Sequence, residues 1–355
     1  MHLLVVLQLT VSLSLMQGMV SYTADKYQTV SAFRPMADWN GLYLLSEYSA
    51  LPDALFQAVR EVDPDVDVVE SRQRFCGEGR QIAFYTPVFL TDYYKPHLTA
   101  GVWFTDYTPA DETIPVVAFG DYSPGQVLAL DEGGPGYTVI GVSDDPFYFS
   151  FVASGAQTST QMVMQPSGGC FLSLLDERAG RYHDLDAFQS NSICLFLSED
   201  AGFVEAARPI LEEYGYVNSF AEIEENGRHM AGELMRVILP FFVFMLALSV
   251  LGLIGCVSFS VMRQLRLFSV LFIAGSSRRE CVGIAVCYTA LILICSLLLF
   301  RLVSCFLFAG RLAAPFALLA AAGTGGICLL ALLTAVIPVY ILKRNPPVQT
   351  LRRAE

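Results

Sequence analysis

Three stretches without one charged side chain crowd into the last third of the sequence, Val237–Met262, Cys281–Phe300 and Leu312–Leu342, and a fourth, Met1–Ala24, opens it. A helix rises about 1.5 Å per residue, so ~20 residues cross a hydrocarbon layer ~30 Å thick. Length and absence of charge predict a membrane span for each of the three late runs. The first run has two readings. No basic residue precedes Leu3 and no small-x-small cleavage site follows cleanly, so a retained span is the expectation and a cleaved signal peptide the alternative.

Charge then sets an orientation for those spans. Between Ser21 and Leu234 there are 11 Lys and Arg against 32 Asp and Glu, a balance of −21, which leaves +9 for the rest of a chain of net charge −12. Lys and Arg next to spans prefer the cytoplasmic side, and the basic segments are Arg263–Arg279 and Lys343–Arg353. Both are expected inside, with both termini, and the acidic segment and the Arg301–Arg311 turn outside. The predicted fold class is therefore an α-helical membrane protein with four transmembrane helices plus an α+β extracytoplasmic domain. Its expected divisions are helix 1 at 1–24, the outer domain at 25–233, helix 2 at 234–262, a cytoplasmic loop at 263–280, helix 3 at 281–303, helix 4 at 312–342 and a tail at 343–355. The expected location is a bacterial cell membrane, crossed several times.

The outer domain holds the one internal repeat. A strand at Gly41–Tyr48, a helix opened by Pro52 and Asp53, and a strand at Val66–Glu70 form one unit. A strand at Ser192–Leu197, a helix capped near Ser198–Asp200, and a strand at Tyr216–Phe220 form the other. In the second helix Phe203, Ala207, Ile210, Leu211 and Tyr214 share a face, the spacing of a helix covering a sheet. The halves are 25–74 and 190–222, and 75–189 between them reads as a β-rich insertion with strands at Tyr137–Val142 and Cys170–Leu175. Gly133, Gly134, Pro135 and Gly136 mark a turn, and Asp144, Asp145 and Pro146 break the chain. Ala221–Glu233 reads as a helix leading straight into the next uncharged run.

Three local strings resemble the FtsX-like permease family of ABC transporters, in its form with a MacB-like core domain. They are GQVLALDEGGPGYTVIGV at Gly125–Val142, RLFSVLFIAGSSRR at Arg266–Arg279 and PVYILKRNPPVQTLR at Pro338–Arg352. The resemblance implies a permease subunit that does no chemistry, a mechanotransmission device worked by a separate cytoplasmic ABC ATPase. A second copy or a related subunit completes it, with the lipid bilayer as its setting and no nucleic acid as partner. No GxxxxGK[ST] loop is present, in line with a chain that binds no cofactor and leaves ATP to its partner. The cargo implied is a peptide, a drug or a lipid-linked molecule; the alternatives are a regulator of cell-wall hydrolases and an ATPase-independent receptor. The coupling element implied comprises Arg266, Leu267, Val270, Leu271, Gly275, Ser277, Arg278 and Arg279. Arg263–Ala274 can itself form a short helix that Gly275 ends. Leu267, Ser269 and Phe272 depart from the family, whose members carry Glu, Gly and a basic residue there.

Other candidates are weaker. Gly323, Gly325 and Gly326 suit close helix packing. His183, Asp184 and Asp186 could begin a metal shell that no second cluster completes. Cys76, Cys170 and Cys194 allow one disulfide, and no CxxC occurs. Aromatic residues concentrate at Tyr93, Tyr94, Trp103, Phe104, Tyr107, Phe147, Tyr148 and Phe149. Most are expected in a core, and an exposed fraction, in so acidic a domain, would suit a cationic amphipathic ligand.

Overall fold

A computed structural model describes residues 2–46, 51–76, 79–108, 113–130, 136–151, 158–177, 179, 189–307, 325 and 340. The chain divides into two compact units, one of Met1–Asp25 with Gly232–Glu355 and one of Lys26–Ala231.

The second unit is built on a ten-stranded mixed sheet. Its strands are β1 (Gly41–Ser46), β2 (Asp67–Phe75), β3 (Gln81–Tyr85), β4 (Leu98–Gly101), β5 (Thr113–Phe119), β6 (Val127–Leu128), β7 (Gly136–Ser143), β10 (Cys170–Leu174), β11 (Gln189–Leu197) and β12 (Gly215–Ser219). They lie in the order β12-β1-β11-β2-β3-β10-β5-β7-β4, with β6 paired to β7, while β8 (Phe147–Phe149) and β9 (Met164–Pro166) form a separate ribbon. The two strand-helix-strand units interleave: β1 lies antiparallel between β12 and β11, and β11 is antiparallel to β2. Their helices, α2 (Asp53–Val62) and α4 (Phe203–Glu212), pack against each other and over one face of this half of the sheet.

Period-2 alternation explains which face each side chain takes. In β1, Leu42 and Leu44 point to the helix-covered face with Leu55, Val59, Phe203, Ala207 and Leu211. Tyr43 points to the opposite face, into a core with Phe33, Tyr85, Phe89, Phe149 and Phe220. Helix α2 forms because Pro52 supplies an extended N-cap, Asp53 favours the positive helix start, and Leu55 and Val59 sit one turn apart. Burying such a side chain contributes roughly 1.5–3 kcal/mol, enough to fix the register of helix on sheet. Helix α4 buries Phe203, Ala207 and Leu211, with Ile210 and Tyr214 half-buried beside them.

Three long helices complete the described chain: α1 (His2–Phe33), α5 (Phe220–Ile273, 54 residues) and α6 (Arg278–Leu307). Here the sequence reading is corrected. Among the described residues, no helix is long and apolar enough to cross a membrane, so the four-span fold class gives way to a mixed, sheet-rich one. In α1 the Thr10 and Thr23 hydroxyls donate back to the Val6 and Met19 carbonyls at 2.8 Å. The Val237–Met262 run is an interior part of α5, with Pro240 inside the helix. Cys281–Phe300 is interior to α6, and Leu312–Leu342 falls outside the described residues apart from Gly325 and Tyr340. The membrane location and its sidedness are corrected with the fold, because among the described residues there is no span for a Lys and Arg bias to orient. The transmembrane and permease descriptions fall for the same reason.

Candidate functional site

Three features of the described chain bear on function. The first is a cleft of about 340 Å³ in the sheet-bearing unit, whose lining includes Met36, Trp39, Tyr93, Lys95, Asp145 and Phe147. Its floor is the 3-10 turn Arg34–Met36 that follows α1, its walls the Tyr93–His97 segment and the Asp145–Phe147 segment before and within β8. Trp39 is half-buried and makes edge contacts with Phe89, Tyr93 and Phe220 at ring separations of 5.9, 6.0 and 5.3 Å. Tyr93 donates its hydroxyl to Asp67 Oδ2 at 2.7 Å. Burial pushes the Tyr93 phenol up, and the hydrogen bond to Asp67 and the charges of Asp67, Glu199 and Asp92 push it further in the same direction. At the rim the His97 backbone N–H donates to Asp145 Oδ2 at 2.8 Å, and the exposed His97 ring lies 3.6 Å from Asp144.

The second feature is the junction where sheet meets long helices. Strand β12 ends at Ser219 and α5 begins at Phe220, with no loop between. Ser219 and Glu222 form a capping box: the Ser219 N–H donates to Glu222 Oε2 at 2.7 Å and the Glu222 N–H to Ser219 Oγ at 3.3 Å. Arg208 on α4 reaches the same carboxylate oxygen at 2.8 Å. Burial pushes the Glu222 carboxyl up, but the Arg208 and Ser219 hydrogen bonds and the Arg208 charge outweigh it and hold the group below its ordinary value. On the other side of the sheet Phe33, the last residue of α1, stacks on Phe149 and on Phe220, each at 6.3 Å. The segment ahead of and within α3 (Thr160–Val163) closes over both helix ends. Asn226 donates to the Thr158 carbonyl at 3.0 Å, and Gln161 Nε2 makes long contacts to the Gly227 and Lys26 carbonyls at 3.4 and 3.5 Å.

The third feature is the corner between α5 and α6. Gly275 has φ +97°, and the Ser276 N–H returns to the Leu271 carbonyl at 3.0 Å, which is a Schellman stop. Ser277 and Glu280 then open α6 with a second capping box, the Ser277 N–H donating to Glu280 Oε2 at 2.8 Å and the Glu280 N–H to Ser277 Oγ at 3.3 Å. Sequence reasoning places a short separate helix at Arg263–Ala274; in the structure Arg263–Ile273 is the last stretch of α5 and Ala274 begins the turn. Arg266, Leu267, Val270 and Leu271 lie in α5, Gly275 and Ser277 in the corner, and Arg278 and Arg279 in the first turn of α6. Val270, Gly275, Ser277 and Arg279 are exposed and Leu271 is half-buried. Gly325 is exposed and helical, whereas Gly323, Gly326, His183, Asp184 and Asp186 lie outside the described residues, as does the Gly133–Pro135 part of the expected turn. The Gly125–Val142 string folds as the β6–β7 pair, with Val127 opposite Thr138.

Most of the aromatic cluster is core: Tyr94, Trp103, Phe104, Tyr148 and Phe149 are buried. Tyr93 and Phe147 are half-buried and line the cleft. Trp39, which sequence reasoning missed, is its central ring; its one signal is a tryptophan set just ahead of the first strand, after the run from α1. Cys170 and Cys194 are free, buried thiols on opposite faces of the sheet, each pushed up by burial, so no disulfide joins them. Among the described residues no group of three or more His, Cys, Asp or Glu side chains could hold a metal ion. The other unit carries an apolar groove between α1, α5 and α6, and exposed apolar side chains along α5 and α6, among them Val237, Leu251 and Leu298. Compared with known proteins, the chain matches no family model and no curated protein sequence.

Proposed function

We propose that this chain is the non-catalytic subunit of an ABC-type, ATP-driven transport or extraction complex. It binds no nucleotide, and a separate ATPase docks at the α5–α6 corner and works on the sheet-bearing unit through α5. A second copy or a related subunit completes the complex. The observation that carries this reading is the loopless junction at Ser219–Phe220, locked by the Glu222 capping box and by Arg208. A helix joined to a sheet through a flexible linker dissipates any displacement, whereas one capped on the last strand and ion-paired to the neighbouring helix carries it into the sheet. The corner supports the same reading. It is closed by two independent stop-and-start motifs, leaves Val270, Ile273 and Arg279 exposed, and carries the string that resembles a coupling helix.

The test is co-purification of the full chain with an ABC ATPase encoded beside it, followed by ATP turnover of the pair. Gly275→Ala together with Arg279→Glu should lower both association and turnover at least about fivefold, the scale of a damaged docking contact. Association and turnover untouched by both changes would overturn docking at the corner, and failure of any ABC ATPase to co-purify would leave a receptor with no ATPase partner.

A further inference from the structure

We infer that the Trp39 cleft is a binding site for an amphipathic cation, specifically for a Lys- or Arg-bearing peptide segment that seats one apolar side chain on Met36, Trp39 and Phe147. Its ammonium or guanidinium group then faces Asp145 and the Asp67–Tyr93 pair. The inference does not depend on an ATPase partner, because every residue it uses lies within the sheet-bearing unit.

Size, lining and charge each narrow the ligand. A volume near 340 Å³ is at the lower end of small-molecule sites and takes one or two side chains rather than a folded partner. Half-buried Trp39 and Tyr93 offer ring surface and Phe147 an apolar wall, an arrangement that attracts a cation beside a hydrocarbon group. Lys95, the one lysine on the described cleft lining, is exposed, while Asp145 is half-buried in the wall and Asp67 holds the Tyr93 hydroxyl. Asp67, Glu199 and Asp92 all act on the Tyr93 phenol, so negative potential reaches into the site. The unit as a whole extends that potential outward, since Lys26–Ala231 carries 11 Lys and Arg against 30 Asp and Glu, a balance of −19. Anionic and neutral hydrophobic ligands lack a partner for these carboxylates.

The cleft also has a route to the helices. Met36 belongs to the turn that continues α1, and Trp39 packs on Phe220, the first residue of α5. A side chain seated on Trp39 therefore presses on the ends of two long helices at once, which is where a ligand would have to act to be sensed beyond the sheet.

The full chain has two tryptophans, and the other, Trp103, is buried with its indole N–H on the Leu90 carbonyl. Trp103 therefore adds a constant background, and a change of tryptophan emission when the cleft fills reports on Trp39. The probe is a fluorescein-labelled decapeptide of alternating Lys and Leu, followed by anisotropy, with an unlabelled copy used for the emission titration and an alternating Glu and Leu decapeptide as counterpart. The expected result is saturable binding of the Lys peptide, a shift of tryptophan emission over the same concentrations, and no saturable binding of the Glu peptide. Asp145→Asn and Phe147→Ala should each weaken binding about tenfold. Glu61→Gln, which makes the same change in net charge at an exposed position of α2, should leave it within about twofold. Thermal melts of each variant confirm the fold. Emission that stays constant through saturation, or equal losses from Asp145→Asn and Glu61→Gln, would mean that the peptide merely coats an acidic surface, and the site would be refuted.

Discussion

Arg208 Nη2 on α4 and the Ser219 N–H at the end of β12 converge on one oxygen, Oε2 of Glu222, at 2.8 and 2.7 Å. The carboxylate thus joins a covering helix, an edge strand and the start of α5. Both ion-pair partners are partly exposed, 29% for Arg208 and 45% for Glu222, so solvent screens the pair to about 1 kcal/mol or less. Glutamine serves the same position of a capping box, so an amide there keeps the cap and removes only the charge.

Glu222→Gln should therefore lower the melting temperature at pH 7 by about 1–4 °C. The pH dependence has a definite sign. Because the carboxyl titrates below its ordinary 4.5 when folded, its stabilisation is present above pH 4.5 and is lost as the pH falls below that value through the folded pKa. The gap between wild type and variant, followed by thermal melts from pH 7 to pH 3, should close on the acid side. A gap that stays constant across that range would show that the charge of Glu222 plays no part.

Gly227 sits where α5 passes closest to the Thr158–Gln161 segment. A Cβ placed there would lie 2.1 Å from Thr160 Oγ1, 2.8 Å from its Cγ2 and 2.9 Å from its Cβ. Gly227→Ala should cost about 1–3 kcal/mol, the range for overpacking a dense site. Thr160→Ala alone should cost less, since Thr160 Oγ1 is buried without a hydrogen-bond partner. The double variant should recover part of the loss, because the two closest contacts vanish. Denaturant midpoints of the four proteins give the coupling directly, and strict additivity would contradict the packing described.

What the sequence made legible was whatever a local period encodes. Leu55 with Val59, and Phe203 with Ala207 and Leu211, announce helices lying on a sheet, and the alternation of Leu42, Tyr43 and Leu44 announces a strand buried on both faces. Pairing was not legible, since nothing in the residues of β10 says that it lies parallel to β3 and antiparallel to β5. The uncharged runs misled for a related reason: charge is visible residue by residue, while the helix a run belongs to depends on where capping occurs. The capping box at Ser219 and Glu222 starts α5 well ahead of Val237, and Gly275 stops it well past Met262. The cleft was least legible. Trp39, Tyr93 and Asp145 are far apart in sequence, and only the fold brings them together.

Cys170 and Cys194 should both resist modification in the folded protein. Each is about 2% exposed, and burial pushes each thiol up, with Glu70 adding to the effect at Cys194. The thiolate is the reacting species, so at pH 8 iodoacetamide should leave both peptides unmodified by mass spectrometry in native buffer and label both in denaturant. Native labelling of either would show that its face of the sheet opens.

Gly275 offers the sharpest separation of backbone from side-chain effects. Its φ of +97° is a conformation that L residues rarely adopt, and a Cβ there meets nothing within 4 Å, so Gly275→Ala would act through backbone conformation without a clash. The expected cost is about 1 kcal/mol, borne locally where the Ser276 N–H closes on Leu271. Gly275→Asn should cost less than Ala, because Asn tolerates the left-handed region better. Amide exchange should accelerate at Ser276 in the order glycine, asparagine, alanine, while Glu280, held by the separate capping box with Ser277, keeps its protection. If Glu280 lost protection in step with Ser276, the corner would be one cooperative element rather than two, and a change at Gly275 would disturb the start of α6 as well as the end of α5.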